Sequence, residues 1–225
     1  MTGSVPQRSR PGPRRGLTER AILDAALRLV DAGGAEALSV RSVAAELGIA
    51  PNALYTYFRT KADLVAALGD DLLGRLDPGA ARTDGDWRPA VVRLASDLRD
   101  TLLAHPGVVP LLMHTGFAGP GALAAGEVLL ELLSRAGLPD DDAARASYLL
   151  QTYVLGTVAL DAAELPPGAP RPDDATRTAA RRAALGGADP ARLPRTAAAA
   201  DVVAAYNGDA QFRWGLDRLL DGLRG

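Results

Sequence analysis

The side chains best suited to recognition chemistry lie close together near the amino end of the chain. An amide, three hydroxyls and an ammonium group follow one another on Asn52, Tyr55, Thr56, Tyr57 and Lys61. Leu54 and Phe58 stand four residues apart among them, a spacing that places both apolar side chains on one side of a helix and turns the polar ones outward. A helix that faces only water usually carries Glu and Lys, so this outer face indicates contact with a polar partner.

Two short helices joined by a tight turn are predicted to hold these side chains. Ser39 is a suitable N-cap for the first helix, and the apolar residues that follow it have helical spacing. Gly48 ends that helix, because glycine tolerates the positive φ of a closing residue. Pro51 suits the first position of the second helix, which we expect to extend to about Phe58. The pattern predicts a helix-turn-helix.

The stretch from Leu38 to Lys61, LSVRSVAAELGIAPNALYTYFRTK, resembles the DNA-binding signature of the TetR family of transcriptional regulators. The matching pieces are Val43-Ala44, Leu47-Gly48-Ile49, Leu54-Tyr55, Tyr57-Phe58 and Lys61–Leu64. The resemblance implies that the second helix enters the major groove, where Asn52 and Ala53 reach base edges while neighbouring side chains bind phosphates. The full predicted DNA-binding set is Ser39, Arg41, Pro51, Asn52, Ala53, Tyr55, Thr56, Tyr57 and Lys61. An ordinary helical pair with two exposed tyrosines is the alternative interpretation.

Composition and charge agree with a helical protein that has a basic amino-terminal part. Leu and Ala dominate and aromatic residues make up 4%, which favours an all-α fold. The absence of cysteine excludes disulfides, zinc fingers and thiol catalysis. Residues 1–62 hold nine Lys and Arg against five Asp and Glu, whereas the remainder holds sixteen against twenty-two. A basic head on an acidic body is typical of a DNA-binding domain joined to a regulatory domain.

The chain is predicted to divide into a basic tail, a small domain and a larger one. Residues 1–16 are rich in Pro, Gly, Ser and Arg, and we expect this tail to be disordered when free. The tail either follows the DNA backbone or only aids solubility, and both interpretations stay open. Residues 17–76 are expected to form the helix-turn-helix domain with a connecting helix. After a linker, residues 86–225 are expected to form the regulatory and dimerisation domain.

Helical spacing predicts the longer elements around the motif. The expected helices are Thr18–Ala32 (with Thr18 as its cap), Lys61–Leu76 (capped by Thr60 with Asp63), Trp87–Ala104, Ala122–Ala136, Ala143–Leu165 and Asp209–Leu223. Residues 166–207 have weak periodicity and predict one or two loose helices. The three acids at positions 140–142 are interpreted as partners of a helix dipole, with a metal site as the alternative.

Neither export nor membrane insertion is predicted. The amino terminus lacks the apolar core of a secretory signal. The long uncharged run Thr101–Gly126 is interrupted by Pro106, Pro110 and Pro120, so it does not predict a transmembrane helix. We expect a cytoplasmic protein.

The carboxy-terminal half is similar to the C-terminal domain of the tetracycline-repressor-like branch of the family. The similarity rests on the runs LQTYVLGTVALDAAE (Leu150–Glu164) and FRWGLDRLLDGL (Phe212–Leu223). It implies that these two helices pair with a second copy as a four-helix bundle. The predicted dimer residues are Leu149, Tyr153, Gly156, Thr157, Leu160, Phe212, Leu216, Leu219, Leu220 and Leu223. The alternative is that part of this apolar stripe is core within one chain.

The resemblance also implies a ligand pocket inside the larger domain. Candidate lining residues are Leu98, Leu102, Met113, Phe117, Leu130, Leu133, Tyr148, Gln151 and Thr152. They are mostly apolar, which predicts a hydrophobic or aromatic small molecule, although each residue is also compatible with plain core. Tetracycline-binding members of the family use histidines around a magnesium chelate. Only His105 and His114 are available here, so no metal site and no cofactor are predicted.

Three function classes were compared. The resemblance implies a repressor that binds a palindromic operator as a homodimer and is released by a small hydrophobic molecule. A helical adaptor that uses the tyrosine face for protein contact is the alternative. An enzyme is not predicted, because no nucleophile elbow, P-loop, zinc signature or dinucleotide fingerprint occurs.

Overall fold

All regular elements that the structure describes are helices, as the composition predicted. The structure is a computed structural model that describes residues 17–77, 86–115, 118–166, 168–169, 171–187 and 189–223. The α-helices in chain order are α1 (Glu19–Gly33), α2 (Val40–Glu46), α3 (Pro51–Leu54), α4 (Lys61–Leu73), α5 (Trp87–Leu103), α6 (Val109–Thr115), α7 (Pro120–Arg135), α8 (Asp140–Ala163), α9 (Asp174–Leu185), α10 (Pro194–Ala198), α11 (Ala200–Ala204) and α12 (Asp209–Gly222). Short 3-10 turns cover Ala35–Ala37 and Pro106–Val108. None of the helices in this part of the chain is long and apolar enough to cross a membrane.

Helices α1 to α4 form the head of the molecule, and the local signals in the sequence set their ends. The Thr18 hydroxyl caps α1 by accepting from the backbone N–H of Ala21 at 3.2 Å. Gly48 has a φ of 65°, the left-handed conformation predicted for the turn after α2. Thr60 and Asp63 form the predicted capping box at the start of α4, with bonds of 3.1 and 3.0 Å.

Two predicted helix ends in the head were wrong. Helix α3 ends at Leu54 rather than near Phe58. The N–H of Tyr57 bonds the Leu54 carbonyl three residues back, and the Thr56 hydroxyl bonds the Ala53 carbonyl at 2.7 Å, so a tight turn replaces the last helical turn. Helix α4 ends at Leu73, with Gly74 as its C-cap, rather than at Leu76.

Helices α5 to α8 and α12 form the body. Helices α5, α7 and α8 pack against one another, and α12 lies against α5 and α8. Their interior is continuous with that of the head, because buried residues of α4 contact both sets of helices.

The three acids at positions 140–142 form the first turn of α8 instead of preceding it. Their charges interact favourably with the helix dipole there. Residues 171–207 contain three helices, α9 to α11, rather than one or two.

A buried carboxylate ties three helices of the body and α9 together. Asp161 of α8 is 1% exposed. Arg99 of α5 and Arg171 place guanidinium nitrogens 3.3 and 2.9 Å from its Oδ2, and Arg177 of α9 binds its Oδ1. Arg99 also lies 2.7 Å from Asp209 of α12. The cluster therefore fixes α9 and α12 against the core of the body.

We expect Asp161→Ala to lower the free energy of unfolding by about 3–5 kcal/mol, because three arginines would lose their buried counter-charge. The measurement is urea unfolding at one fixed protein concentration. Asp142→Ala is the control, since its ion pair with Arg145 lies at the surface and its loss costs about 1 kcal/mol or less. Equal effects of the two substitutions would contradict the prediction.

Candidate nucleic-acid interface

The outer side of α3 and its flanking turns displays polar side chains on a firmly anchored backbone. Leu54 and Phe58 are 1% and 6% exposed and fix the segment to the core of the head. Tyr55 and Tyr57 are 50% and 41% exposed, so part of each ring is open to a partner. The other exposed members of the predicted set are Arg41, Pro51, Asn52, Thr56 and Lys61, whereas Ser39 and Ala53 are partly buried.

Three hydroxyls of the predicted set already donate hydrogen bonds within the protein. The Ser39 hydroxyl caps α2 and bonds Ser42 Oγ at 3.0 Å, and the Thr56 hydroxyl bonds the Ala53 carbonyl. The Tyr57 hydroxyl donates to the Leu17 carbonyl at 2.5 Å. Phosphate oxygens only accept, so these three side chains reach phosphate only by giving up an internal bond. The sequence pattern could not reveal the partner of Tyr57, because Leu17 lies 40 residues away in the chain.

The groups best placed to bind DNA without rearrangement are therefore fewer than the sequence predicted. Asn52 carries an exposed amide, Tyr55 an exposed hydroxyl, and Arg41 and Lys61 exposed positive charges. Arg59 is also exposed, two residues before Lys61, and was omitted from the predicted set. Its place in the same polar stretch was the signal that could have identified it. Cationic side chains on both sides of a short polar helix can bind phosphates and position the helix in a groove.

A cavity of about 280 Å³ lies in the body beside the end of α4. Helices α5, α7 and α8 enclose it, together with Leu73 and Leu76 from the end of α4 and the turn that follows. Its walls are mainly apolar, with Gln151 and Glu127 as polar lining residues. The Gln151 amide nitrogen bonds the Ser147 hydroxyl at 3.0 Å. The cavity suits a mainly apolar ligand with a small number of hydrogen-bonding groups.

The predicted pocket residues separate into three groups. Leu98, Leu130 and Gln151 line the cavity. Leu102 and Leu133 are 1% and 0% exposed in the core and do not line this cavity. Met113, Tyr148 and Thr152 are exposed on outer helix faces. Phe117 lies outside the described residues. The sequence shows which residues are apolar but not which side of a buried helix meets a void.

The predicted dimer stripe is partly core, which corrects the sequence interpretation. Phe212, Leu216 and Leu220 are at most 4% exposed and pack inside one chain. Tyr153 stacks on Phe212 at 5.6 Å and its hydroxyl donates to the Phe212 carbonyl at 2.9 Å. Burial raises the pKa of this hydroxyl, so it remains a donor at neutral pH. Tyr153 and Phe212 join α8 to α12, and the buried Phe212, Leu216 and Leu220 offer little or no surface to a partner.

An exposed stripe remains on α8 and α12. Leu149 and Leu160 are 44% and 60% exposed, and the exposed Gly156 lies between them. Trp214, which is not in the predicted set, is 60% exposed on α12. The half-buried members of the predicted stripe are Thr157, Leu219 and Leu223.

The two histidines have separate surroundings. His105 Nδ1 lies 3.0 Å from both carboxylate oxygens of Asp31, and His114 Nδ1 lies 2.8 Å from the Pro110 carbonyl. Within the described ranges, no group of three or more His, Cys, Asp or Glu side chains converges as a metal site would require.

Comparison with known proteins matches both halves of the chain. Residues 22–68 match the family model for bacterial regulatory proteins of the tetR family, and residues 79–225 match the model for the tetracyclin repressor-like C-terminal domain. The HTH-type transcriptional repressor DrrR1 of Streptomyces coeruleorubidus is 33% identical over 69% of this chain and 56% of its own length. The chain thus spans a little over half of that relative. The class C tetracycline repressor of Escherichia coli is 29% identical over 92% of this chain and 90% of its own.

Solved structures agree over nearly the whole chain. A possible TetR family transcriptional regulator from Streptomyces coelicolor A3(2) is 33% identical, with a TM-score of 0.78 and coverage of 92% of this chain and 98% of its own. ActR of Streptomyces coelicolor in complex with (S)-DNPA is 25% identical, with a TM-score of 0.79 and coverage of 93% and 98%. With a helix-turn-helix head, a helical body and family matches over both, the chain belongs to the TetR family of transcriptional regulators.

Proposed function

We propose that the protein is a transcriptional repressor that binds a roughly palindromic DNA operator as a homodimer and is released by a small hydrophobic molecule. The observation that carries the proposal is the exposed polar face of α3, held in place by the buried Leu54 and Phe58. A rigid backbone with outward amide, hydroxyl and cationic groups is what insertion into a major groove requires.

In this proposal base reading and backbone binding fall to different residues. Asn52 can pair through its amide with an adenine edge, and Ala53 can contact a thymine methyl. Tyr55, Arg41 and Lys61 bind phosphates on either side. The internal bonds of the three hydroxyls have separate roles: Thr56 bonds the end of α3, Ser39 caps α2, and Tyr57 fixes Leu17, the residue that follows the basic tail.

Dimerisation through the exposed stripe of α8 and α12 would present two such heads to one operator. Leu149, Gly156 and Leu160 give a face on α8 with a small residue that permits close approach. Trp214 gives a large apolar group on α12. Contact with a second copy would remove these side chains from water, where large exposed apolar groups are unfavourable.

The proposed ligand binds in the cavity beside α4. ActR has been solved in complex with actinorhodin as well as with (S)-DNPA. The mainly apolar walls of the cavity support an aromatic or otherwise hydrophobic effector for this chain too. Because Leu73 and Leu76 line the cavity at the end of the helix that enters the head, a ligand there would bias the position of the head.

The test of the proposal is a DNA titration with the region upstream of the protein's own gene, at two salt concentrations and with competitor DNA. Saturable binding of a dimer to an inverted repeat, resistant to competitor, is the expected result. Weak binding that disappears in salt would mean a non-specific binder. The absence of binding to this region and to genomic fragments would favour the adaptor function instead.

Lys61→Ala and Asn52→Ala should weaken operator binding in different ways. Loss of Lys61 should weaken binding to all sequences and lower the slope of log K against log salt by about 2, since each subunit of the dimer loses one phosphate contact. Loss of Asn52 should cost about 1–3 kcal/mol per half-site and relax the base preference at one position of each half-site. Fluorescence anisotropy on operator and scrambled duplexes measures both effects.

Arg192→Ala is the charge-matched control, because Arg192 is exposed in the segment before α10 and lies outside the proposed interface. An unchanged salt slope in Lys61→Ala, or an equal loss on operator and scrambled DNA in Asn52→Ala, would refute the assignment of that residue.

Leu98→Ala should raise the dissociation constant of the effector about tenfold, because part of the apolar wall of the cavity is lost. The effector is first found by screening aromatic compounds, beginning with actinorhodin, for release of the operator. Isothermal titration then compares the variant with the parent protein. Leu193→Ala removes an exposed leucine outside the cavity and should leave the dissociation constant unchanged. A Leu98 variant that binds the effector as tightly as the parent would place the effector elsewhere.

A further inference from the structure

The first turn of α7 receives its cap from another helix. Its own N-cap residue is Gly119, which has no side chain to offer, and Pro120 at the first position has no N–H. The two N–H groups that remain without a helical partner belong to Gly121 and Ala122. Both donate to a single oxygen, Asp70 Oδ1 of α4, at 2.7 and 3.1 Å. The next N–H, of Leu123, bonds the Gly119 carbonyl at 2.9 Å. Asp70 thus completes the hydrogen bonding of this helix end.

The backbones of the two helices are in contact at this point. A Cβ atom added to Gly121 would lie 2.7 Å from the Asp70 carbonyl oxygen and 2.9 Å from the Gly74 nitrogen. A Cβ atom added to Gly119 would lie 2.3 Å from Asp70 Oδ1. No side chain fits between α4 and the start of α7. A displacement of one helix end is therefore passed directly to the other.

The capped turn is also part of the cavity wall. Ala122, whose N–H bonds Asp70, lines the cavity, and so do Leu123, Gly126 and Leu129 along the same helix. On the other side of α4, the adjacent Asp71 lies 2.8 Å from Arg20 of α1. Two neighbouring carboxylates of α4 consequently hold the cavity wall and the DNA-binding head.

We propose that Asp70 is the positioning residue that transmits occupancy of the cavity to the DNA-binding head, through its hydrogen bonds to the first turn of α7. The proposal rests on the proposed function, because it assigns a route to ligand release. A molecule seated against α7 moves its first turn, Asp70 moves with the two N–H groups that it accepts from, and α4 carries α1 through Asp71.

The test uses an occupant built into the chain, because the natural effector is unidentified. Gly126 lines the cavity, and a Cβ atom there meets no atom within 4 Å, so Gly126→Phe adds a phenyl ring at the cavity wall without a clash at its Cβ. Operator affinity is measured for the full-length protein, Gly126→Phe, Asp70→Ala and the double variant. Thermal unfolding of each variant checks folding. Asp97→Ala, which removes an exposed carboxylate of α5, is the matched control for the lost charge.

We expect Gly126→Phe to weaken operator binding at least about fivefold in the parent, which is the lower end of ordinary allosteric coupling. In the Asp70→Ala background, Gly126→Phe should change operator affinity by no more than about twofold. In the Asp97→Ala background, it should weaken binding by the same factor as in the parent protein. If Asp70 had a purely structural role, Asp70→Ala would lower operator affinity by the same factor with and without the phenyl ring. The fold-change caused by Gly126→Phe would then be the same in the parent and in Asp70→Ala. Asp70→Asn, which keeps an acceptor oxygen, should retain most of the coupling.

The outcomes distinguish failure of the proposed function from failure of the role assigned to Asp70. Absence of operator binding by the parent protein would refute the proposed function. An unchanged affinity of Gly126→Phe would refute release through the cavity, and transmission by Asp70 with it. An equal loss in the presence and absence of Asp70 would overturn only the role of Asp70.

Hydrogen exchange supplies a second test that does not depend on the folding of Asp70→Ala. Gly126→Phe should change amide exchange both at residues 119–123 and in the last turns of α4. Weakened operator binding without a change in exchange at these two places would also overturn the proposal.

Discussion

The buried stripe of α4 is the constraint on which the two halves of the molecule depend. Leu64, Leu68 and Leu72 are each at most 1% exposed and belong to one continuous core with residues of the head and the body. Gly69, on the same helix, faces Leu112 of α6 so closely that an added Cβ atom would lie 2.4 Å from that side chain. Because close-packed interiors deform little, the position of α4 follows from the packing of both domains at once.

Hydrogen bonds and ion pairs fix the orientation of helices whose positions are set by apolar packing. In the head, the reading helix is only four residues long, too short to be stable alone, so buried Leu54 and Phe58 and the bonds of Thr56 and Tyr57 hold it in shape. In the body, Asp161 and its arginines hold the peripheral helix α9 and the last helix α12 in place. Both arrangements place hydrogen bonds where apolar contact alone would allow several orientations.

Signals that act within a few residues were the ones that the sequence revealed. The caps at Thr18, Ser39 and Thr60 and the left-handed turn at Gly48 follow from local chemistry, and the structure confirms them. The all-α fold and the helix-turn-helix follow from helical spacing and from the family resemblance.

Features that depend on contacts between residues far apart in the chain could not be predicted from the sequence. An apolar stripe has the same sequence pattern whether it contacts a partner or the chain's own core. Phe212 and Leu216 were therefore predicted at a dimer interface, although they are buried within one chain. Whether a leucine lines a void depends on three other helices, so the sequence could not show that Leu102 and Leu133 lie in the core and not at the cavity. The bond from Tyr57 to Leu17 and the cap that Asp70 provides to α7 join residues 40 and 51 positions apart. No local pattern encodes such pairs.

Helix α7 contacts α4 through its first turn and lines the cavity through residues further along. Its first turn is fixed against α4 by backbone contact, whereas Leu129 and Leu130, about two turns further on, face the cavity away from that joint. If the proposed mechanism holds, side chains at the distal positions can be exchanged to change which compounds fit, while the contact between the first turn of α7 and α4 is left intact. A scaffold of this kind lends itself to biosensors, in which the recognised molecule is altered and the genetic output is retained.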